Sequence, residues 1–92
     1  MKETAVVVVH VPNKSVTEDL EIPLYITAND LIEALAAIYQ VPFDPDRIFS
    51  FYVKCESPKA LLRGQTTLSD YGVRDGSNLW LWDERLQQTW EG

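Results

Sequence analysis

One cysteine and one histidine in 92 residues close off two kinds of chemistry at once. A lone thiol, Cys55, has no partner for an intrachain disulfide, so a reducing compartment suits this chain. Cys55 and His10 together fall short of the donor set of a structural zinc site, so no metal and no cofactor are expected. Glycine is scarce as well, with four in the chain, and none sits in a phosphate-cradling loop. "RGQ" (Arg63 to Gln65) and "DGS" (Asp75 to Ser77) read as turns. Long apolar runs are missing: the N-terminal one covers about seven residues, against the ~20 that span a bilayer. It leads into Pro12-Asn13-Lys14 without a small-residue cleavage site, so a signal peptide is not expected. Basic residues number 8 against 14 acidic ones, for a formal net charge of −6. Such a chain repels phosphate backbones and anionic lipid, which disfavours nucleic acid and direct membrane insertion and favours a basic protein partner. What remains, at 46% hydrophobic and 24% charged residues, is the composition of one small globular domain with a single core.

Residues Thr4 to Val11, "TAVVVVHV", are β-branched and apolar and predict a strand. Pro12 to Ser15 supplies a short turn, and "VTEDLEIPL" then alternates. Val16, Leu20, Ile22 and Leu24 share one face, Thr17, Asp19 and Glu21 the other, and Glu18 interrupts the apolar face. The pair reads as a hairpin, with Pro23 confined to an edge or strand end. Thr27 and Asp30 have the spacing of a capping box ahead of a helix from about Ala28 to Tyr39. Leu31, Leu35 and Ile38 form its core stripe, flanked by Ile32, Ala36 and Tyr39. Val41-Pro42 stops it. A third strand is expected from Arg47 through Cys55, with Phe49, Phe51 and Val53 on one face and Ile48, Ser50 and Tyr52 on the other. A very short strand at "ALLR" follows, then a connection anchored by Leu68, Tyr71 and Val73, and a last strand from Ser77 to Trp82.

A hairpin, a helix and three further strands each have one apolar face to cover. Laying the helix across a mixed sheet, with the first and last strands adjacent at its centre, covers all of them. The expected class is α+β: a β-grasp with a mixed four- to five-stranded sheet packed on one helix, over residues 1–82, followed by a tail at 83–92.

The stretch "LLRGQTTLSDYGV" (Leu61 to Val73), closing with "SNLWL" (Ser77 to Leu81), resembles the region of ubiquitin where a Leu-Ser-Asp-Tyr loop precedes the last strand. The order and spacing of elements from Ala5 to Trp82 match as well. The sequence is more similar to the YukD-like family, small bacterial ubiquitin-like proteins that accompany type VII (WXG100, ESX-type) secretion systems. The short length, "ITANDLIEAL", the lengthened region Phe51 to Lys59, and "LRGQTTLSDYGVRDGSNLWL" carry that similarity. The resemblance implies a cytoplasmic, non-catalytic protein-binding accessory of the secretion machinery. "TWEG" (Thr89 to Gly92) lacks the Gly-Gly ending of ubiquitin-type conjugation, so covalent tagging is not expected. The alternative reading is a covalent modifier or sulfur carrier acting through Gly92.

No nucleophile–base pair is suggested anywhere. His10 reads as a structural or surface residue, Cys55 as a packing thiol, and the scattered Asp44, Asp46, Glu56, Asp70 and Asp75 as a solvated acidic surface without calcium-loop spacing. "NLWLWDE" (Asn78 to Glu84) is different. In a β-grasp, Leu79 and Leu81 face the helix, and Trp80 and Trp82 lie on the opposite face, which in ubiquitin is the partner-binding face. Ile48 or Tyr52 joins them from the neighbouring strand. Two tryptophans there would make an apolar patch of about a few hundred Å2, enough to mark an interface. Three covers are open: a protein partner, a second copy forming a homodimer, or the chain's own tail, where Leu86 and Trp90 stand at i and i+4.

Overall fold

The computed structural model describes residues 3–11, 14–44, 46 and 50–83. Five strands form one sheet in the order β2-β1-β5-β3-β4. Strand β1 (Thr4–Val11) pairs antiparallel with β2 (Val16–Pro23) in an unbroken register, from Thr4 opposite Pro23 to Val11 opposite Val16. Strand β5 (Asn78–Asp83) runs parallel to β1 and antiparallel to β3 (Phe51–Glu56), and β4 (Ala60–Leu62) closes the far edge against β3. First and last strands therefore meet at the centre, as the β-grasp expectation requires.

The helix α1 (Ala28–Ile38) starts on the predicted box: Thr27 Oγ1 accepts the Asp30 N–H at 3.1 Å, and Asp30 Oδ2 accepts the Thr27 N–H at 3.2 Å. It buries Ala28, Leu31, Ile32, Leu35 and Ala36. Ile38, expected in the core stripe, is instead 54% exposed. The helix ends there, Gln40 turns to positive φ, and the covering role passes to Val41, which is buried.

Alternation divides the sheet into two faces. Ala5, Val7, Val9 and Val11 of β1, Phe51, Val53 and Cys55 of β3, Leu62 of β4, and Leu79 and Leu81 of β5 are all buried beneath α1. On β2, Ile22 is buried, with Val16 and Leu20 packed against the core from the edge. Glu18 lies within the continuous β1–β2 ladder, opposite Val9, and its carboxylate accepts the Tyr39 hydroxyl.

Strand β3 starts at Phe51, later than Arg47. Ser50, expected on the outer face, precedes the strand and is buried. The expected positions of Ile48 and Phe49 lie outside the described residues. The connection before β5 contains one turn of helix, α2 (Leu68–Tyr71), which opens on the same Thr-x-x-Asp spacing as α1: Thr67 Oγ1 accepts the Asp70 N–H at 3.2 Å. It closes on Gly72 at φ 86, a left-handed cap in which a side chain would be strained. Leu68 and Val73 are buried as anchors. Tyr71 holds the loop by donating its hydroxyl to the Arg63 carbonyl at 2.8 Å.

Candidate functional site on the outer face of the sheet

The face turned away from α1 takes its layout from strand register. Directly paired residues point to the same side, so Thr17, His10, Trp80, Lys54 and Leu61 form one rung across all five strands. Trp82 and Tyr52 form the next rung. On the other side of the His10 rung, Asp19, Val8, Asn78 and Glu56 line up, and Glu21 with Val6 follow beyond them. Leu61 and Val6 are 49% and 47% exposed, the most exposed apolar side chains of this face.

The tryptophans are half-buried rather than bare, because neighbours cover their rings. The His10 ring stacks on Trp80 with centroids 4.5 Å apart and planes 8° from parallel. His10 is held in plane from both sides: Nδ1 lies 3.3 Å from Thr17 Oγ1 and Nε2 lies 3.2 Å from Asn78 Oδ1. Lys54 places Nζ 6.0 Å from the centre of the Trp80 ring, and Arg63 places Cζ 5.0 Å from that of Tyr52, both within cation–π range.

Of the six residues expected at the site, Trp80, Trp82 and Tyr52 are brought together, with Tyr52 directly opposite Trp82. Ile48, Leu86 and Trp90 lie outside the described residues. Three members escape the sequence reading: His10, Lys54 and Arg63. A signal for His10 was present, since Ala5, Val7 and Val9 assign it to the outer face once β1 is placed beside β5. Its pairing with Trp80 depends on the β1–β5 register, which composition does not carry. The charge at the tryptophans also departs from expectation. The chain is net acidic, at −6, yet cations sit at the aromatic rings, while Asp19 and Glu56 lie on the rung next to Trp80 and Glu21 on the rung beyond.

Elsewhere the chemistry is quiet. Cys55 is fully buried. Burial pushes its thiol above the ordinary range, partly offset by a hydrogen bond with Ser77, which leaves little thiolate to react. Among the described residues no group of three or more His, Cys, Asp and Glu side chains is arranged to hold a metal, and no helix is long and apolar enough to cross a membrane.

The family described as "WXG100 protein secretion system (Wss), protein YukD" matches over residues 4–81. Solved structures with the same fold include the ubiquitin-like domain of an Arabidopsis thaliana protein, at TM-score 0.68 and 17% identity over 90% of this chain and 80% of that one. Another is the ubiquitin-like domain of tubulin-binding cofactor B, at TM-score 0.70 and 19% identity over 95% of this chain and 97% of that one. A third is the ubiquitin-like domain of Plasmodium falciparum Dsk2, at TM-score 0.60 and 18% identity over 86% of this chain and 99% of that one. At such identities the likeness is one of fold. No curated protein matches the sequence. The ubiquitin-like β-grasp is thus seen both in the sheet order and in its neighbours, and the match from β1 to β5 adds the lineage: the chain belongs to the YukD family of the WXG100 protein secretion system.

Proposed function

We propose that this protein is a non-catalytic, cytoplasmic binding module of a bacterial WXG100 secretion system, acting by reversible docking rather than by conjugation. The observation that carries the proposal is a pair of adjacent aromatic rungs on the outer face, with Trp80 on its His10 support in one and Trp82 beside Tyr52 in the next. Interface hot spots favour tryptophan, tyrosine and arginine in contact with one another, and this part of the face holds all three. The contact chemistry it offers is apolar and aromatic with cations at the rings, which suits a partner surface carrying apolar groups and carboxylates.

The test is titration of purified components of the secretion machinery against the parent protein and a W80A/W82A double variant. The variant is expected to keep the parent's circular dichroism spectrum and to lose at least about tenfold in affinity, a loss of about 1.4 kcal/mol. Unchanged affinity would place the docking surface elsewhere. Intact-mass measurement of protein taken from its native cell addresses conjugation: a ligated or thiocarboxylated species would restore the covalent-modifier alternative through Gly92.

A further inference from the structure

The sheet ends at β2 on one side, and backbone parity says which groups that edge presents. The Val8 N–H donates to the Ser77 carbonyl and the Gly76 N–H to the Val6 carbonyl, both at 2.9 Å. Even-numbered residues of β1 therefore turn their backbone toward β5, and Ala5, Val7, Val9 and Val11 turn theirs toward β2. Their partners Ile22, Leu20, Glu18 and Val16 carry the ladder. Thr17, Asp19, Glu21 and Pro23 consequently aim their backbone groups away from the sheet. Pro23 has no N–H to offer, so the open row consists of the N–H groups of Thr17, Asp19 and Glu21 and the carbonyls of all four. Among the described residues no backbone group pairs with this row. We infer that the β2 edge takes up an extended segment of a partner protein as a sixth strand, a segment with Lys or Arg at alternate positions and an apolar residue between them.

Strand edges in soluble proteins are ordinarily kept short, bulged or otherwise blunted. The opposite edge follows that rule, since β4 spans three residues, whereas β2 runs for eight in an unbroken register. Charge then names the occupant. The strand holds Glu18, Asp19 and Glu21 and no cation, and all three carboxylates are exposed. Asp19 and Glu21 lie on the outer face, where Glu21 Oε2 also accepts the Thr4 hydroxyl at 2.8 Å. In an antiparallel addition each of the two exchanges a pair of backbone bonds with the residue opposite, whose side chain points to the same face. A Lys or Arg at those positions meets the carboxylate directly. The residue between them stands opposite Leu20, half-buried at the rim of the core, which selects an apolar side chain. The same carboxylates disfavour a second copy as the added strand. Two-fold pairing of β2 edges centred on Glu18, Asp19 or Leu20 opposes Glu18 to Glu18, Asp19 to Asp19, or Asp19 to Glu21. The inference goes beyond the docking surface at the tryptophans and does not depend on it.

Amide NMR of the full chain at about 0.15 M salt tests it, with the capped peptide Thr-Val-Lys-Val-Lys-Val-Thr as probe and the same peptide with Glu for both Lys as control. The amides of Thr17, Asp19 and Glu21 are expected to shift and to exchange more slowly with solvent, with a dissociation constant on the order of 1 mM. The control should leave them unmoved. Asp19→Asn removes one charge and should weaken binding about threefold. Asp19→Pro also removes an outward N–H while sparing the ladder bonds of Glu18 and Leu20, and should weaken binding at least about tenfold. The exchange measurement on the parent decides the matter even if the proline variant does not fold. Three amides unmoved up to about 5 mM probe overturn the inference, as does equal binding of the acidic control. A folded Asp19→Pro variant that binds as well as Asp19→Asn overturns the strand addition. Probe binding that W80A/W82A abolishes belongs to the outer face, which overturns the edge and leaves the tryptophan surface standing.

Discussion

Tyr39 and Glu18 show how one contact couples two elements that the sequence presents as unrelated. Tyr39 caps the end of α1 and donates its hydroxyl to Glu18 Oε1 on β2 at 2.5 Å. The tyrosine hydroxyl is pushed up to about 12, first by burial and then by the hydrogen bond and negative charge of Glu18, from an ordinary value of 10.0. A folded-state value raised above the unfolded one means that the folded state holds its proton more tightly. The associated stability is fully present below about pH 10 and is lost as pH rises through about 12. Tyr39→Phe is expected to lose about 1 kcal/mol at neutral pH with the hydrogen bond. Between about pH 10 and about pH 12 its stability should fall less steeply than the parent's. Urea unfolding at neutral pH and across that alkaline range reads both effects. The side chain is part-exposed, so solvent screens the charge component and the alkaline difference is a small one. From sequence, Glu18 looked like an interruption of an apolar face. Its partner lies on another element, 21 residues away, and local pattern carries no information about that distance.

Helix α1 was legible at the level of the element because its signals are local: a Thr-x-x-Asp box, apolar residues at helical spacing, and a proline beyond its end. What local signals omit is how the helix start is anchored. The Ala28 N–H donates to the Thr66 carbonyl and the Asn29 N–H to the Gly64 carbonyl, both at 3.0 Å. Asn29 Oδ1 accepts the Gly64 N–H at 3.1 Å in return. Thr27→Ala is therefore expected to cost about 1 kcal/mol through the lost cap, and the same strands and core should persist because these backbone bonds remain. Thermal unfolding gives the cost, and amide exchange at Ala28 and Asn29 gives the anchoring. Should those two amides exchange as fast as free peptide in the variant, the box alone holds the helix start. The helix α2 repeats the Thr-x-x-Asp spacing with one of the two bonds, Thr67 Oγ1 accepting the Asp70 N–H, and spans four residues, Leu68–Tyr71, a length too short for periodicity to register. The edges of β3 and α1 also differ from expectation. Ile38 keeps the apolar spacing at the last position of α1 yet points to solvent, and only tertiary packing decides where each element stops.

Across the whole molecule, the two sets of side chains on β5 have opposite fates. Leu79 is fully buried and Leu81 nearly so, whereas Trp80 and Trp82 are half-buried on the outer face. Leu79→Ala should leave a cavity under α1 and cost about 2–5 kcal/mol, a large share of the stability of a domain this size. Trp82→Ala opens no internal cavity and should cost about 1 kcal/mol or less. Denaturant unfolding of the two variants compares them directly. A larger loss for Trp82 than for Leu79 would reverse the two faces and remove the basis for a docking surface at the tryptophans.

The sequence by itself determined which residues belong to which face. Alternation on the strands, helical spacing on α1 and the position of the turns are properties of near neighbours, and the hydrophobic effect acts on them whatever the final register. The central pairing of the first and last strands followed from the need to cover every apolar face with one helix, and the full order is seen in the structure. The tertiary structure alone decided what surrounds the tryptophans. His10, Trp80 and Lys54 come from three strands distant in the chain, and they meet only through the parallel β1–β5 and antiparallel β3–β5 registers. A slip of two residues in either register would keep the faces but bring a different set of neighbours to Trp80. The chain's negative total was readable from its composition. The separation of that charge into an acidic end and a cation-bearing aromatic end exists only once the strands are aligned.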